Sequence, residues 1–164
     1  MNDPPIPPTS IRPAGIGDAP EIARLLTALA HPTSTEAVET RWDDWSAADN
    51  FALVAAQSNG TLAGLATLGR MFVLHRPKPV GRITALVVDA PMQGQGIGRA
   101  LVAAAEEALA RAGCGLVEIT SNMRFAEAHR FYKHLGYERT SMRFAKILVP
   151  VDSPRSYRFS QIIL

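Results

Sequence analysis

Gln93-Gly94-Gln95-Gly96-Ile97-Gly98-Arg99 follows a nearly continuous apolar run, residues 82–89, and opens a stretch with helical periodicity. A strand–glycine–helix junction of this kind suits an anion for three reasons. The first N–H groups of a helix have no internal partner, the helix dipole is positive there, and glycines let the backbone come close to a ligand. No acidic side chain lies between Met92 and Leu101, and Arg99 adds positive charge on the first turn. The chemistry on offer is the binding of a diphosphate. A plain tight turn, whose glycines only relieve a steric problem, is the alternative.

Spacing separates the kinds of phosphate ligand. A P-loop ends in Gly-Lys-Ser or Gly-Lys-Thr, whereas this segment ends in Gly98-Arg99-Ala100. A dinucleotide fingerprint fails in both frames, since the third small residue would fall on Arg99 or on Leu101. Glu118 does lie roughly 20 residues on, where a ribose-binding acid would stand. The glycines, however, come deep in the chain and after a hairpin, not near a first strand.

The elements that must position this junction follow from periodicity. Ser10-Ile11-Arg12 reads as a short strand, and Asp18-Ala19-Pro20-Glu21 as a capping box opening a helix to about Leu29, with Ile22, Leu25, Leu26 and Leu29 on its apolar side. A second, acidic helix covers residues 35–47, with Val38, Trp42 and Trp45 on one side. Residues 51–57 and 61–73 are antiparallel strands around the Ser58-Asn59-Gly60 turn. The apolar strand 82–89, a helix from Ile97 to Ala112 closed by Gly113, and a strand 116–120 form a right-handed parallel unit. Helix 124–135, ended by Gly136, and one or two strands from Tyr137 to about Val149 complete an α/β (α+β) fold. Its sheet is mixed and mostly antiparallel, flanked by helices, with one parallel pair beside the glycine turn. Residues 1–9 read as a Pro-rich leader, 10–149 as one domain and 150–164 as a tail.

Composition narrows the function further. Hydrophobic residues make up 47% and charged residues 20% of 164, ordinary values for a globular chain, and no run approaches a membrane span of ~20 apolar residues. The leader has no basic start or long apolar run, which reads against a signal peptide, and with the single Cys114 points to the cytoplasm. Residues 1–60 carry 3 basic and 8 acidic side chains, whereas 61–164 carry 14 and 7. The positive second part suits phosphates. No basic run interleaved with aromatics suggests nucleic acid. His129 and His134 lack a third ligand at helical spacing, so no metal is expected. No Gly-x-Ser-x-Gly elbow supports hydrolysis.

Gln93-x-x-Gly96-x-Gly98 after an apolar strand resembles the acyl-CoA signature of the GNAT superfamily of N-acetyltransferases. A second match follows in order: Ala128-His129-Arg130-Phe131-Tyr132, with Gly136-Tyr137 beyond, is similar to the family's late helix. The resemblance spans about residues 10–149 and implies acetyl-CoA as co-substrate. It implies that the backbone of Gln93, Gly94, Gln95, Gly96, Ile97, Gly98 and Arg99 holds the pyrophosphate. Leu86, Val87 and Val88 would pair with the pantetheine arm, the Val88 amide region would polarise the thioester carbonyl, and Tyr132 would protonate the departing thiolate. Ala128 would also border the cofactor. The family's Asn seven residues before the tyrosine is here Phe125; Asn122, just after the strand, is the substitute contact. Tyr132 also reads as an ordinary core tyrosine sharing a face with Phe125 and Ala128.

An acceptor amine must lose a proton, since a primary amine of pKa near 10 is neutral at only ~0.1% at pH 7. Glu118 and His75 are the candidate bases, with bulk water as a third. The family's acceptor cleft borders the first two helices, where Glu36, Glu39, Asp43 and Asp44 suggest a cationic small-molecule amine. The alternative is a solvated acidic face over two buried tryptophans. A CoA-binding regulatory module without turnover is the competing function. Self-association through the last strands and tail is left open.

Overall fold

The computed structural model describes residues 9–148, which fall into two compact units dividing between Ile119 and Thr120. The first holds β1 (Thr9–Pro13), α1 (Ala19–Ala28), α2 (Thr35–Ala47), β2 (Asn50–Gln57), β3 (Leu62–Met71), β4 (Val80–Val88), α3 (Ile97–Arg111) and β5 (Leu116–Ile119). The second holds α4 (Ala126–His134). Residues 1–8, Val149 and the 150–164 tail lie outside the described residues.

The five strands lie side by side in chain order. The first three pairings are antiparallel, and β4 and β5 run parallel. Successive strand residues face opposite sides of a sheet, and β3 uses both. Gly64 faces α3, where an added Cβ would stand 2.9 Å from Leu101 Cδ1. Leu65 packs with Ile22, Leu25 and Val38 of α1 and α2 on the other face. The sheet therefore separates α3 from the α1–α2 pair. Leu25, Leu65, Leu68, Ile83, Leu101 and Leu109 are fully buried, each worth about 1.5–3 kcal/mol of transfer free energy.

Two local expectations are corrected. Asp18 stands at the N-cap of α1 but makes no side-chain cap bond; its carboxylate accepts from Arg12 at 2.8 Å and from the Gly15 N–H at 2.9 Å. The two-pronged Arg12 guanidinium and the Gly15 N–H draw the carboxylate away from the helix start. Glu21 likewise turns away, accepting the Leu62 N–H at 3.0 Å. Arg24 joins Glu21, Asp89 and the Leu62 carbonyl at 2.8–2.9 Å. α1 is thus tied to the start of β3 and the end of β4.

The strands expected from Tyr137 to about Val149 do not form among the described residues. Residues 137–148 carry no regular structure, and Met142, Phe144 and Leu148 are exposed. A local run of residues does not make a strand by itself, because its N–H and C=O groups need a neighbour's edge.

Candidate active site

The glycine turn adopts a conformation that the residue type permits. Gly94 and Gly96 lie at φ +79 and +81, in the left-handed region, and nothing lies within 4 Å of where a Cβ would stand on either. Side chains there would be strained even in open space. The first α3 bond runs from the Ala100 N–H to the Gly96 carbonyl at 3.0 Å. Among the described residues, the N–H groups from Gly94 to Arg99 donate to no other protein group. Gln93 braces the turn by donating from Nε2 to the Val88 carbonyl at 3.1 Å. A depression of about 450 Å³ opens beside Gln95, Gly96 and Ile97. Asp89, the nearest preceding acid, is engaged by Arg24 at 2.9 Å and does not oppose an anion.

β4 prepares a second feature. Its register with β3 shifts, Thr67 pairing with Ala85 and Leu68 with Ile83, so Thr84 is an extra residue on β4. Pairing with β5 ends at Ile83–Ile119, whereas pairing with β3 continues to Val88. Among the described residues, Ala85 to Val88 therefore have a strand on one side only. This is a free backbone edge leading into the glycine turn, and it contains Leu86, Val87 and Val88. Such bulges bend a strand and end its pairing locally.

On the α1–α2 face lies a cavity of about 220 Å³. Ala52 and Thr67 form its floor, Trp42 and Trp45 one wall, and Arg41 borders it. The tryptophans are half-buried and tilted against each other, 5.5 Å between ring centroids. The Thr67 hydroxyl lies 2.8 Å from that of Thr84, which joins the floor to the bulge. Sequence reasoning passed over Arg41, Thr67 and Thr84. The helical spacing of Arg41 with Val38, Trp42 and Trp45 was a usable signal; the threonine pair meets only across a hairpin and left none.

In the second unit, Tyr132 packs edge-on against Phe131 and Tyr137, at 5.3 and 6.0 Å between centroids. Burial pushes its phenol above the ordinary value, so it stays protonated at neutral pH. Ala128 is half-buried on the same helix. Asn122 is occupied locally: its Oδ1 accepts the Arg124 N–H at 3.1 Å, and its carbonyl accepts the Phe125 N–H and meets the His129 ring. Phe125 is exposed beneath the Arg124 guanidinium.

Glu118 is held by Arg82 across the β4–β5 pair at 2.9 Å. That bond uses Oε2, and the carboxylate is partly exposed, which leaves Oε1 open to water. His75 is exposed in the loop after β3. Burial pushes the Cys114 thiol up, which leaves it a poor nucleophile. Among the described residues no three His, Cys, Asp or Glu side chains gather as a metal set, and no helix is long and apolar enough to cross a membrane.

The chain is thus an α/β protein with a mixed five-stranded sheet, in which a helix springs from a glycine turn just after β4. The chain belongs to the acetyltransferase (GNAT) family, whose model matches residues 19–137. It is 43% identical over 93 residues to an aminoalkylphosphonate N-acetyltransferase of Salmonella typhimurium, covering 57% of this chain and 60% of that protein. It is 29% identical over 134 residues to an aminoglycoside N(6')-acetyltransferase type 1 of Stenotrophomonas maltophilia, covering 80% and 87%. An acetyltransferase of Trypanosoma brucei superposes with a TM-score of 0.75 at 26% identity, over 86% of this chain and all of that one. The family and the mixed five-stranded fold agree with the resemblance read from Gln93 to Gly98 and Ala128 to Tyr132.

Proposed function

We propose that the protein transfers an acetyl group from acetyl-CoA to the primary amine of a small molecule. The observation that carries this is the free edge of β4 running into unpartnered amides at Gly94 to Arg99. An extended arm ending in a diphosphate fits that pair of features, and the open space at Gly94 and Gly96 leaves room for it. Names of the relatives support an amine acceptor.

Acetyl-CoA supplies an acyl group activated as a thioester. The amides of Gly94 to Arg99 hold the negative charge of the pyrophosphate at the positive end of α3. Leu86, Val87 and Val88 hold the arm in line as a further strand would, and a main-chain amide at Val88 stabilises charge developing on the carbonyl oxygen. Tyr132 gives its proton to the leaving sulfur, a role that its protonated state at neutral pH suits. Glu118 takes the ammonium proton through water. Asn122 and Ala128 border the cofactor.

Thiol release from acetyl-CoA, followed with a panel of small amines, tests the reading. At least one amine should accelerate release at neutral pH and appear as its N-acetyl product. CoA binding with no release from any amine would instead favour a CoA-binding regulatory module.

A further inference from the structure

We infer that the cavity between α2 and the sheet is the acceptor site, and that Arg41 there binds an anionic group carried by the acceptor, a phosphonate or carboxylate on a short aminoalkyl chain. This rests on the transferase reading above. Three observations point to it.

The first is charge. The α2 residues lining the cavity form one helical stripe, Ala37, Val38, Arg41, Trp42 and Trp45, and no carboxylate lines the cavity. Glu36, Glu39 and Asp43 fall on the opposite, solvent side of the helix by the 3.6-residue period, and Asp44, one turn on from Arg41, is exposed and does not line the cavity. The acidic composition of α2 therefore does not describe the surface that a ligand in the cavity would meet. Arg41 makes no hydrogen bond or ion pair among the described residues, so its forked donors are available for a planar or tetrahedral anion.

The second is place. The Thr67 floor is joined by a 2.8 Å hydroxyl contact to Thr84, the extra residue at which the free β4 edge begins. An amine reaching along this floor from an anion at Arg41 would approach the edge proposed to hold the thioester. The third is size. At about 220 Å³ the cavity falls below the roughly 300–1,000 Å³ that encloses drug-sized ligands. It suits an acceptor of a few carbons better than a polycationic sugar.

Trp42 and Trp45 are the only two tryptophans in the chain, so their fluorescence reports on the cavity without any turnover. The experiment titrates the full chain, with CoA present, using 2-aminoethylphosphonate, β-alanine, ethylamine and an aminoglycoside, and then measures thiol release with the same four. Saturable fluorescence change with the phosphonate or the carboxylate, at least about tenfold tighter than with ethylamine, is expected. Comparison of the first two ligands decides which anion is preferred. Arg41→Ala should abolish that preference and raise KM for the anionic amine about tenfold or more, leaving KM for acetyl-CoA unchanged. Arg41→Lys should restore part of it. Equal binding of ethylamine and the anionic amines, tighter binding of the aminoglycoside, or an Arg41→Ala protein indistinguishable from wild type would overturn the inference. An Arg41-dependent fluorescence change with no thiol release would keep the anion site and reject the transferase reading instead.

Discussion

Gly96 combines a left-handed backbone with empty space beside it, and the pairing separates two effects of substitution. Gly96→Val should fold, because nothing is displaced, while carrying roughly 1–2 kcal/mol of backbone strain. If the turn holds the pyrophosphate, the added side chain also occupies ligand space, and the CoA dissociation constant should rise at least about tenfold. Unchanged affinity by calorimetry would remove Gly96 from the site. Tyr132 gives a second residue-scale test. As a general acid its loss in Tyr132→Phe should cost about 100-fold in kcat, at the low end of such catalysis, with KM for acetyl-CoA within about twofold. Its phenol is raised by burial, so deprotonation moves to higher pH, and a loss of kcat from this group should begin only above about pH 10. A limb near neutrality that vanishes in Tyr132→Phe would contradict the upward shift.

Among the elements, α1 owes its placement to Arg24, which bridges Glu21, Asp89 and the Leu62 carbonyl. The Arg24 guanidinium and the Leu62 N–H hold the Glu21 carboxyl below its ordinary value. A depressed carboxylate stabilises the fold above its unfolded pKa and loses that contribution as pH falls through the folded value. Arg24→Ala should therefore cost about 1–2 kcal/mol at pH 7, with both side chains partly exposed and the ion pairs discounted accordingly. It should also flatten the loss of stability below about pH 4.5. Urea titrations at pH 7 and pH 3 check both. None of this network was legible in the chain, where Asp18 and Glu21 read as a capping box; its partners lie 38 and 65 positions from Arg24. The second helix was legible to the residue, 35–47, from Val38, Trp42 and Trp45 on one side, and the structure adds the Ser34 side chain that caps its start. The glycine turn was legible because glycine, missing acids and a helix start are all local features. The Thr84 bulge and the Arg82–Glu118 pair were not, since register between strands is set by cross-strand packing. The strands expected from Tyr137 to about Val149 do not form over residues 137–148, because a strand needs a neighbouring edge that local sequence does not supply.

For the molecule as a whole, we propose that residues 10–149 form one N-acetyltransferase domain, and thermal unfolding tests this. One cooperative transition is expected, and a ligand at 100 times its dissociation constant adds about 2.7 kcal/mol to the native state, or ~5–10 °C in Tm for a chain of this size. The even balance of 17 basic and 15 acidic side chains gives no strong global field, so recognition of an anionic cofactor rests on the amides of the turn and on Arg99. Affinity of the wild-type chain for CoA, set against NAD in the same calorimetric titration, decides whether the glycine turn and the β4 edge form a CoA site. Saturable one-to-one binding of CoA and acetyl-CoA, and none of NAD, is expected. Binding of NAD with no uptake of either CoA species would contradict it.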